Sequence, residues 1–313
     1  MRRRFAYFGR RVRYRDRLTM CCFSVATPIG LVARLFARPV HVSATNIFAR
    51  MIAPGVQALA YGMNLDTRDP VAMVLPLPVV PGSGDDAVTF VDLAKEPQLF
   101  AQLAALFEIM QPLALKSGFS LPLPARKTLV VHKVGSFVAS YVPARADFAR
   151  LDPRFRLPAA LFDAVPRYAD HGFAVFQLAP GKVTVHPMAM TFPTREPSRL
   201  FFPTVHVHDG RFHPQATFDH ALYFQTPRCT QRPETVPLGN FEDSAVAWIL
   251  PHKDHEGLVV PAQPMLRRTL RGKRANVDTW IAARAPRVGY LIHTLASTAR
   301  DAPSSGQSFA GAP

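Results

Sequence analysis

Proline is the residue that most constrains the fold of this chain. The 313-residue sequence holds 30 Pro against 17 Gly. Because proline fixes its own φ angle and has no N–H to donate, it interrupts helices and the interior of sheets. A coiled coil and an α-solenoid, which need long uninterrupted helices, are therefore excluded. The sequence predicts short elements joined by stiff connections.

The composition is that of a globular protein, with 48% hydrophobic and 19% charged residues. The longest apolar stretch, residues 18–33, contains Pro28 and is shorter than the roughly 20 residues of a membrane-spanning helix. The three Cys, two of them adjacent at 21 and 22, predict no disulfide framework. We therefore expect a soluble protein without a membrane span, located in a reducing cytoplasm.

The formal net charge of +15 is distributed unevenly along the sequence. Residues 1–17 carry +7 and residues 251–313 carry +5, which leaves +3 for the 233 residues between them. No zinc-finger, helix-turn-helix or RNA-binding motif accompanies these charges. The pattern argues against nucleic acid as a partner and does not identify another one.

The Arg-rich start of the chain has three interpretations. Residues 1–19 are a basic disordered arm, or the charged part of an export signal that continues through residue 33, or sequence upstream of a true translation start at Met20. We favour the start at Met20, because residues 1–17 lack a periodic apolar pattern that could dock on a core. Residues 291–313 are expected to form a polar C-terminal tail.

Alternating apolar and polar residues predict many strands and few helices. One helix is expected over 96–110 and a shorter one after Pro158. Helices do not alternate with strands, so the expected fold class is α+β, mainly antiparallel β-sheet with a few short helices, in one domain over 20–290. The alternative is a division of this domain into two halves near 111–127. Strands are predicted at 41–48, 56–65, 71–75, 127–133, 136–142, 173–178, 182–190, 200–208, 218–225 and 245–250.

Histidines cluster around the sequence FFPTVHVHDGRFHP. Asp209-Gly210 between two alternating runs is typical of a two-residue hairpin turn. In that register His206 lies opposite His213, and His208 lies on the same face as both, while Val207 and Phe212 point to the other face. Three convergent imidazoles with an open fourth position form the ligand set of a catalytic zinc ion or another divalent metal.

Two residues of the following segment, FDHALYF, can complete such a site. His220, or Asp219 on the opposite face, is expected to supply a fourth ligand or a hydrogen-bond acceptor. The metal site would make the protein a metal-dependent hydrolase. The competing interpretations are a solvated hairpin face without metal, and for His220 a hydrogen-bonded core residue beside Phe218 and Leu222.

Two alternative functions come from other parts of the chain. If translation starts at Met20, removal of that Met exposes Cys21, whose thiol and α-amine together resemble the catalytic group of N-terminal-nucleophile amidohydrolases. The other alternative is a non-catalytic binding or structural module in which edge strands bounded by proline recruit a partner.

A set of sequence stretches can be compared as a group: MCCFS, TNIFAR, AMVLPLPV, DFARLDPRFRLP, YADHGFAVFQL, HPMAMTFP, LFFPTVHVHDG and FDHALYFQ. Together they resemble a family of uncharacterised bacterial proteins of unknown function. The resemblance covers about residues 20–250 and agrees with a start near Met20. It implies no activity, cofactor or partner.

Overall fold

The computed structural model describes residues 22–25, 40–108, 137–151, 156–157, 159–207, 211–226, 244–247, 250–261 and 263–283. Its helices are α1 (Leu99–Glu108) and α2 (Ala159–Ala164), with 3-10 turns at Arg145–Arg150 and Pro166–Tyr168. Its strands are β1 (Cys22–Val25), β2 (His41–Ala53), β3 (Val56–Thr67), β4 (Val71–Leu77), β5 (Thr89–Val91), β6 (Val138–Val142), β7 (Gly172–Leu178), β8 (Gly181–Pro193), β9 (Arg199–Phe202), β10 (Gln215–Phe224), β11 (Ser244–Ala247), β12 (Met265–Ala275) and β13 (Thr279–Ala282).

The strands form three sheets. A four-stranded sheet has the order β1-β4-β7-β6, a seven-stranded sheet has the order β11-β12-β10-β2-β3-β8-β5, and β13 pairs with β9. All of these pairs are antiparallel except β10 with β2. The prediction of a mainly antiparallel β-sheet protein with few short helices is therefore confirmed for the described residues.

The two larger sheets pack face to face around the main hydrophobic core. Met73 and Phe176 of the smaller sheet and Tyr61 and Met190 of the larger sheet belong to this core, and each is at most 1% exposed. Residues on β4 are apolar throughout and all seven are buried, because this strand has protein on both faces.

The outer face of each sheet is covered by a helix. Helix α2 packs on the four-stranded sheet through Leu161 and Phe162. Helix α1 packs on the seven-stranded sheet through Leu99 and Leu103. The described part of the chain is thus layered as helix, sheet, sheet and helix. The side chains between these layers are buried.

Glycine at position 62 allows helix α1 to approach the sheet closely. A Cβ at Gly62 would lie 2.6 Å from two ring carbons of Phe100, which is closer than van der Waals contact allows. Phe100 in turn lies 6.1 Å from the ring of Tyr223. The missing side chain at Gly62 therefore provides the space for an aromatic contact between helix and sheet.

Most of the strands predicted from alternation are present, but four strands were missed. These are β1, β5, β12 and β13. The strand predicted at 127–133 lies outside the described residues. The predicted strand over 200–208 ends at Phe202, and residues 203–207 continue without strand pairing. Within the described part of the chain, no helix has the length and apolar character needed to cross a membrane.

Candidate functional site

Two of the predicted site histidines meet in the protein interior. His220 lies on β10, where it pairs with Leu270 of β12 and Thr45 of β2. His206 lies in the irregular segment after β9. The Nε2 atoms of His206 and His220 are 3.2 Å apart, and the rings are stacked at 4.8 Å with an interplanar angle of 22°. Their exposed fractions are only 2% and 1%.

The surroundings of this histidine pair are largely apolar. The ring of Phe218 lies 4.3 Å from that of His206 and 5.3 Å from that of His220. Burial lowers the pKa of His220 to about 3, so this imidazole is neutral at physiological pH. A neutral imidazole keeps one nitrogen lone pair, which can accept a hydrogen bond or bind a metal ion.

Polar atoms beside His220 have few partners. Among the described residues, neither Nδ1 of His220 nor Oγ1 of Thr45 has a hydrogen-bond partner, although both atoms are buried. Oδ1 of Asp219 lies 3.9 Å from Nδ1 of His220. The other oxygen of Asp219 accepts a hydrogen bond from the backbone N–H of Ala44 at 2.9 Å. Asp219 thus contributes to the join between β10 and β2.

Asn276 holds the segment that contains His206. Its Oδ1 accepts the N–H of His206 at 2.7 Å, and its Nδ2 donates to the carbonyls of His206 and His213, both at 2.8 Å. Asn276 is 1% exposed. The buried side chain of Asn276 therefore holds the main chain at two points, His206 before position 208 and His213 after it.

A buried carboxylate lies next along the chain. Asp278 accepts the hydroxyl of Tyr168 at 2.5 Å and the N–H groups of Thr204 and Val205 at 3.0 and 3.3 Å. Burial raises the pKa of Asp278 to about 6, while the bond from Tyr168, the nearby charge of Arg167 and the two backbone donors act in the opposite direction. Asp278 joins the 3-10 turn before β7 to the segment that leads to His206.

A second polar cluster lies on the other side of the larger sheet. Glu96, 5% exposed, accepts hydrogen bonds from Lys253 Nζ and from His255 Nδ1, the latter at 2.8 Å. The bond from Lys253 is the main cause that lowers the pKa of Glu96. This cluster ties the turn before α1 to the segment around residue 255, and we assign it a structural role.

The remaining predicted site residues are placed differently from the expected hairpin. His213 is exposed, and neither 203–207 nor 211–214 forms a strand. The predicted ladder that pairs His206 with His213 is thus not formed, because β9 pairs with β13 instead. His208, the turn at 209–210 and Cys21 lie outside the described residues.

The described residues do not contain a complete metal-ligand set. Among them, no group of three or more His, Cys, Asp or Glu side chains is arranged to hold a metal ion. The interpretation of His220 as a hydrogen-bonded core residue agrees with its burial and with the contact to His206. Asn276 and Asp278 were missed in the sequence, where the stretch RANVDT gives no signal beyond a turn.

No protein-family model matches the chain, and no curated protein matches it. Among solved structures, the chain is similar to baculovirus P35, with a TM-score of 0.45 and 12% identity over 78% of this chain and 97% of that chain. It is also similar to P35 in the caspase-8/P35 complex, with a TM-score of 0.42 and 11% identity over 77% and 97% of the two chains. A mutated P35 after caspase cleavage gives a TM-score of 0.41 and 12% identity over 77% and 100%. Similarity of this degree assigns neither a family nor a function.

Proposed function

We propose that the protein binds a divalent metal ion, with zinc as the first candidate, through the Nε2 atoms of His206 and His220. The observation that supports the proposal is the 3.2 Å separation of these two atoms. Two imidazole nitrogens bound to one tetrahedral zinc ion, each at about 2.0–2.1 Å, are separated by about 3.3–3.4 Å. The distance between the two nitrogens therefore needs to change by only about 0.1–0.2 Å to accept the ion.

Burial and charge state also support metal binding at this pair. Imidazole binds metal in its neutral form, which is the form that burial favours for His220. Phe218 packs against both rings and shields the pair. This position favours a structural metal ion, which joins the 203–207 segment to β10, over a catalytic ion that is accessible to substrate. His208 and His213 remain the predicted additional ligands, and metal-dependent hydrolysis remains the activity expected if a coordination position stays open.

The experiment is a zinc titration of the metal-stripped full-length protein by calorimetry, together with elemental analysis of the protein as purified. We expect one zinc ion per chain. The variants His206→Gln and His220→Gln should each weaken binding at least about 100-fold, because each removes one ligand. His171→Gln is the matched control, since His171 is a buried histidine that contacts Arg195 instead of the pair.

Weak zinc binding that is equal in wild type and all three variants would contradict the proposal. In that case the two imidazoles share a proton in an N–H···N hydrogen bond, and their role is to join β10 to the segment after β9. Cobalt(II) substitution gives a second readout, because a tetrahedral site with nitrogen ligands produces visible absorption bands that a nonspecifically bound ion lacks.

A further inference from the structure

Two buried polar atoms on adjacent strands need a partner that the described side chains do not supply. Within the described ranges, Oγ1 of Thr45 and Nδ1 of His220 are both buried and have no hydrogen-bond partner. Each of the two residues is only 1% exposed. Burying a polar group without a hydrogen bond is unfavourable, and such groups in folded proteins are usually satisfied by an ordered water or an ion.

Strand pairing places these two atoms beside each other. Thr45 of β2 is the register partner of His220 in the parallel pairing of β2 with β10. Neighbouring strands lie about 4.8 Å apart, and paired residues project their side chains from the same face of the sheet. The hydroxyl and the imidazole are therefore neighbours, yet no hydrogen bond joins them.

A β-bulge in β2 sets the position of Thr45. The register between β2 and β3 shifts between Ser43 and Asn46, so Ala44 and Thr45 together stand opposite one residue of β3. Ala44 has a φ angle of 51°, a left-handed conformation that is uncommon for a residue with a Cβ. A bulge interrupts the ladder and changes the direction of the side chains beside it. The bulge thus accounts for a polar side chain at a buried position next to β10.

The carboxylate of Asp219 lies at the same place. Its Oδ2 accepts the N–H of Ala44 at 2.9 Å, and its Oδ1 is 3.9 Å from Nδ1 of His220. The second distance is too long for a direct hydrogen bond. Two atoms that each bond one water oxygen at about 2.8 Å are about 4 Å apart when the angle at the water is about 90°. The separation therefore fits a bridging water.

We propose that Oγ1 of Thr45 and Nδ1 of His220 bind one internal water molecule, which also donates a hydrogen bond to Oδ1 of Asp219. Three hydrogen bonds to buried polar groups are typical of internal waters in globular proteins. The water joins β2 to β10 through their side chains, next to the bulge. The site uses Nδ1 of His220 and is independent of the metal proposal, which uses Nε2.

The chemistry of the three groups favours water over an ion. A carboxylate only accepts hydrogen bonds, while a hydroxyl both donates and accepts, and a neutral imidazole nitrogen does one or the other. Water can meet all of these requirements at once. The carboxylate of Asp219 repels an anion, and no metal-ligand group of three or more His, Cys, Asp or Glu occurs among the described residues.

The test counts long-lived internal waters in metal-stripped full-length protein by magnetic relaxation dispersion of water oxygen-17. We expect Thr45→Val to hold one such water fewer than wild type, because valine keeps the shape of threonine but lacks the hydroxyl. Thr45→Ser, which keeps the hydroxyl, should retain the water. Thr67→Val is the matched control, since Thr67 is a buried strand residue whose hydroxyl donates to the carbonyl of Asp69 at 2.9 Å. It should lose none.

A crystal structure of the wild-type protein gives a second readout that needs no variant to fold. We expect an ordered water within about 3.2 Å of both Thr45 Oγ1 and His220 Nδ1. A direct hydrogen bond between these two atoms, or a metal ion at this position, would overturn the proposal. An equal number of long-lived waters in wild type and Thr45→Val would also overturn it, and the same loss in Thr67→Val would overturn the assignment to Thr45.

Discussion

The side-chain amide of Asn276 binds both main-chain groups of His206, its Oδ1 accepting the N–H at 2.7 Å and its Nδ2 donating to the carbonyl at 2.8 Å. This arrangement replaces the two hydrogen bonds that a neighbouring strand would make. A segment without strand pairing can therefore be buried, and His206 can be held against His220, because one side chain satisfies its backbone.

Replacing Asn276 with Ala should destabilise the protein by about 2–4 kcal/mol. The substitution removes three hydrogen bonds, two of which join Asn276 to buried main-chain groups of His206. Urea unfolding followed by circular dichroism measures the change. Asn64→Ala is the control, since Asn64 is exposed and bonds only to Thr184, and it should cost under about 1 kcal/mol. Equal costs for the two variants would contradict the assigned role of Asn276.

Asp278 should make the protein less stable as pH rises from about 4 to 7. Its pKa in the folded protein is raised to about 6 by burial, above the ordinary value of 3.8, so the folded state retains the proton longer than the unfolded state does. Stability from this group is complete below pH 3.8 and is lost as pH rises through 6. The loss is about 3 kcal/mol, and it should be absent in Asp278→Asn. Unfolding free energies of the two proteins at several pH values provide the comparison.

His171 should have the opposite effect on stability. Burial, with the charges of Arg195 and Arg167, lowers its pKa to about 4, below the ordinary value of 6.5. The unfolded state then binds the proton first, so stability from this group is present above pH 6.5 and is lost as pH falls through 4. In His171→Gln the unfolding free energy should decline less between pH 7 and 4, by about 3 kcal/mol. A parallel decline in wild type and variant would show that His171 is not the group responsible.

Gly62→Ala should destabilise the protein by about 1–3 kcal/mol, because the new methyl group overlaps the ring of Phe100. Phe100→Ala should also destabilise it, through lost packing on Tyr223. The double variant should cost less than the sum of the two single changes, since the methyl group then occupies space that the ring has left. Thermal unfolding of all four proteins gives this interaction energy, and strict additivity would argue against direct contact.

The sequence pattern predicted most strands of the seven-stranded sheet but missed strand β12. Strands such as β3 show alternation or continuous apolar content, which local pattern reveals. Strand β12 has Lys or Arg at five of its eleven positions, and its conformation depends on pairing with β10 over ten residues. Such pairing between distant segments leaves little trace in local propensity.

The candidate site was predicted only in part, and the reason is again a strand pairing that local sequence does not reveal. The Asp209-Gly210 turn signal suggested that His206 faces His213, but β9 pairs with β13, a strand that the sequence pattern did not reveal. His206 instead contacts His220, whose burial follows from its position on the same face as Phe218 and Leu222. Asn276 was missed, because its role depends entirely on tertiary contacts.

The parallel pairing of β2 with β10 has a consequence for folding during synthesis. Thr45 pairs with His220, so β2 lacks this neighbour until about 175 further residues have been added to the chain. Strands β3 and β8 can assemble on its other side earlier, which leaves one side of β2 open in the growing chain. Such an unpaired edge is prone to intermolecular association. We therefore expect truncation before β10 to yield aggregated protein, and we expect slow folding of the full chain because its central strand completes its pairing only with a strand about 175 residues away.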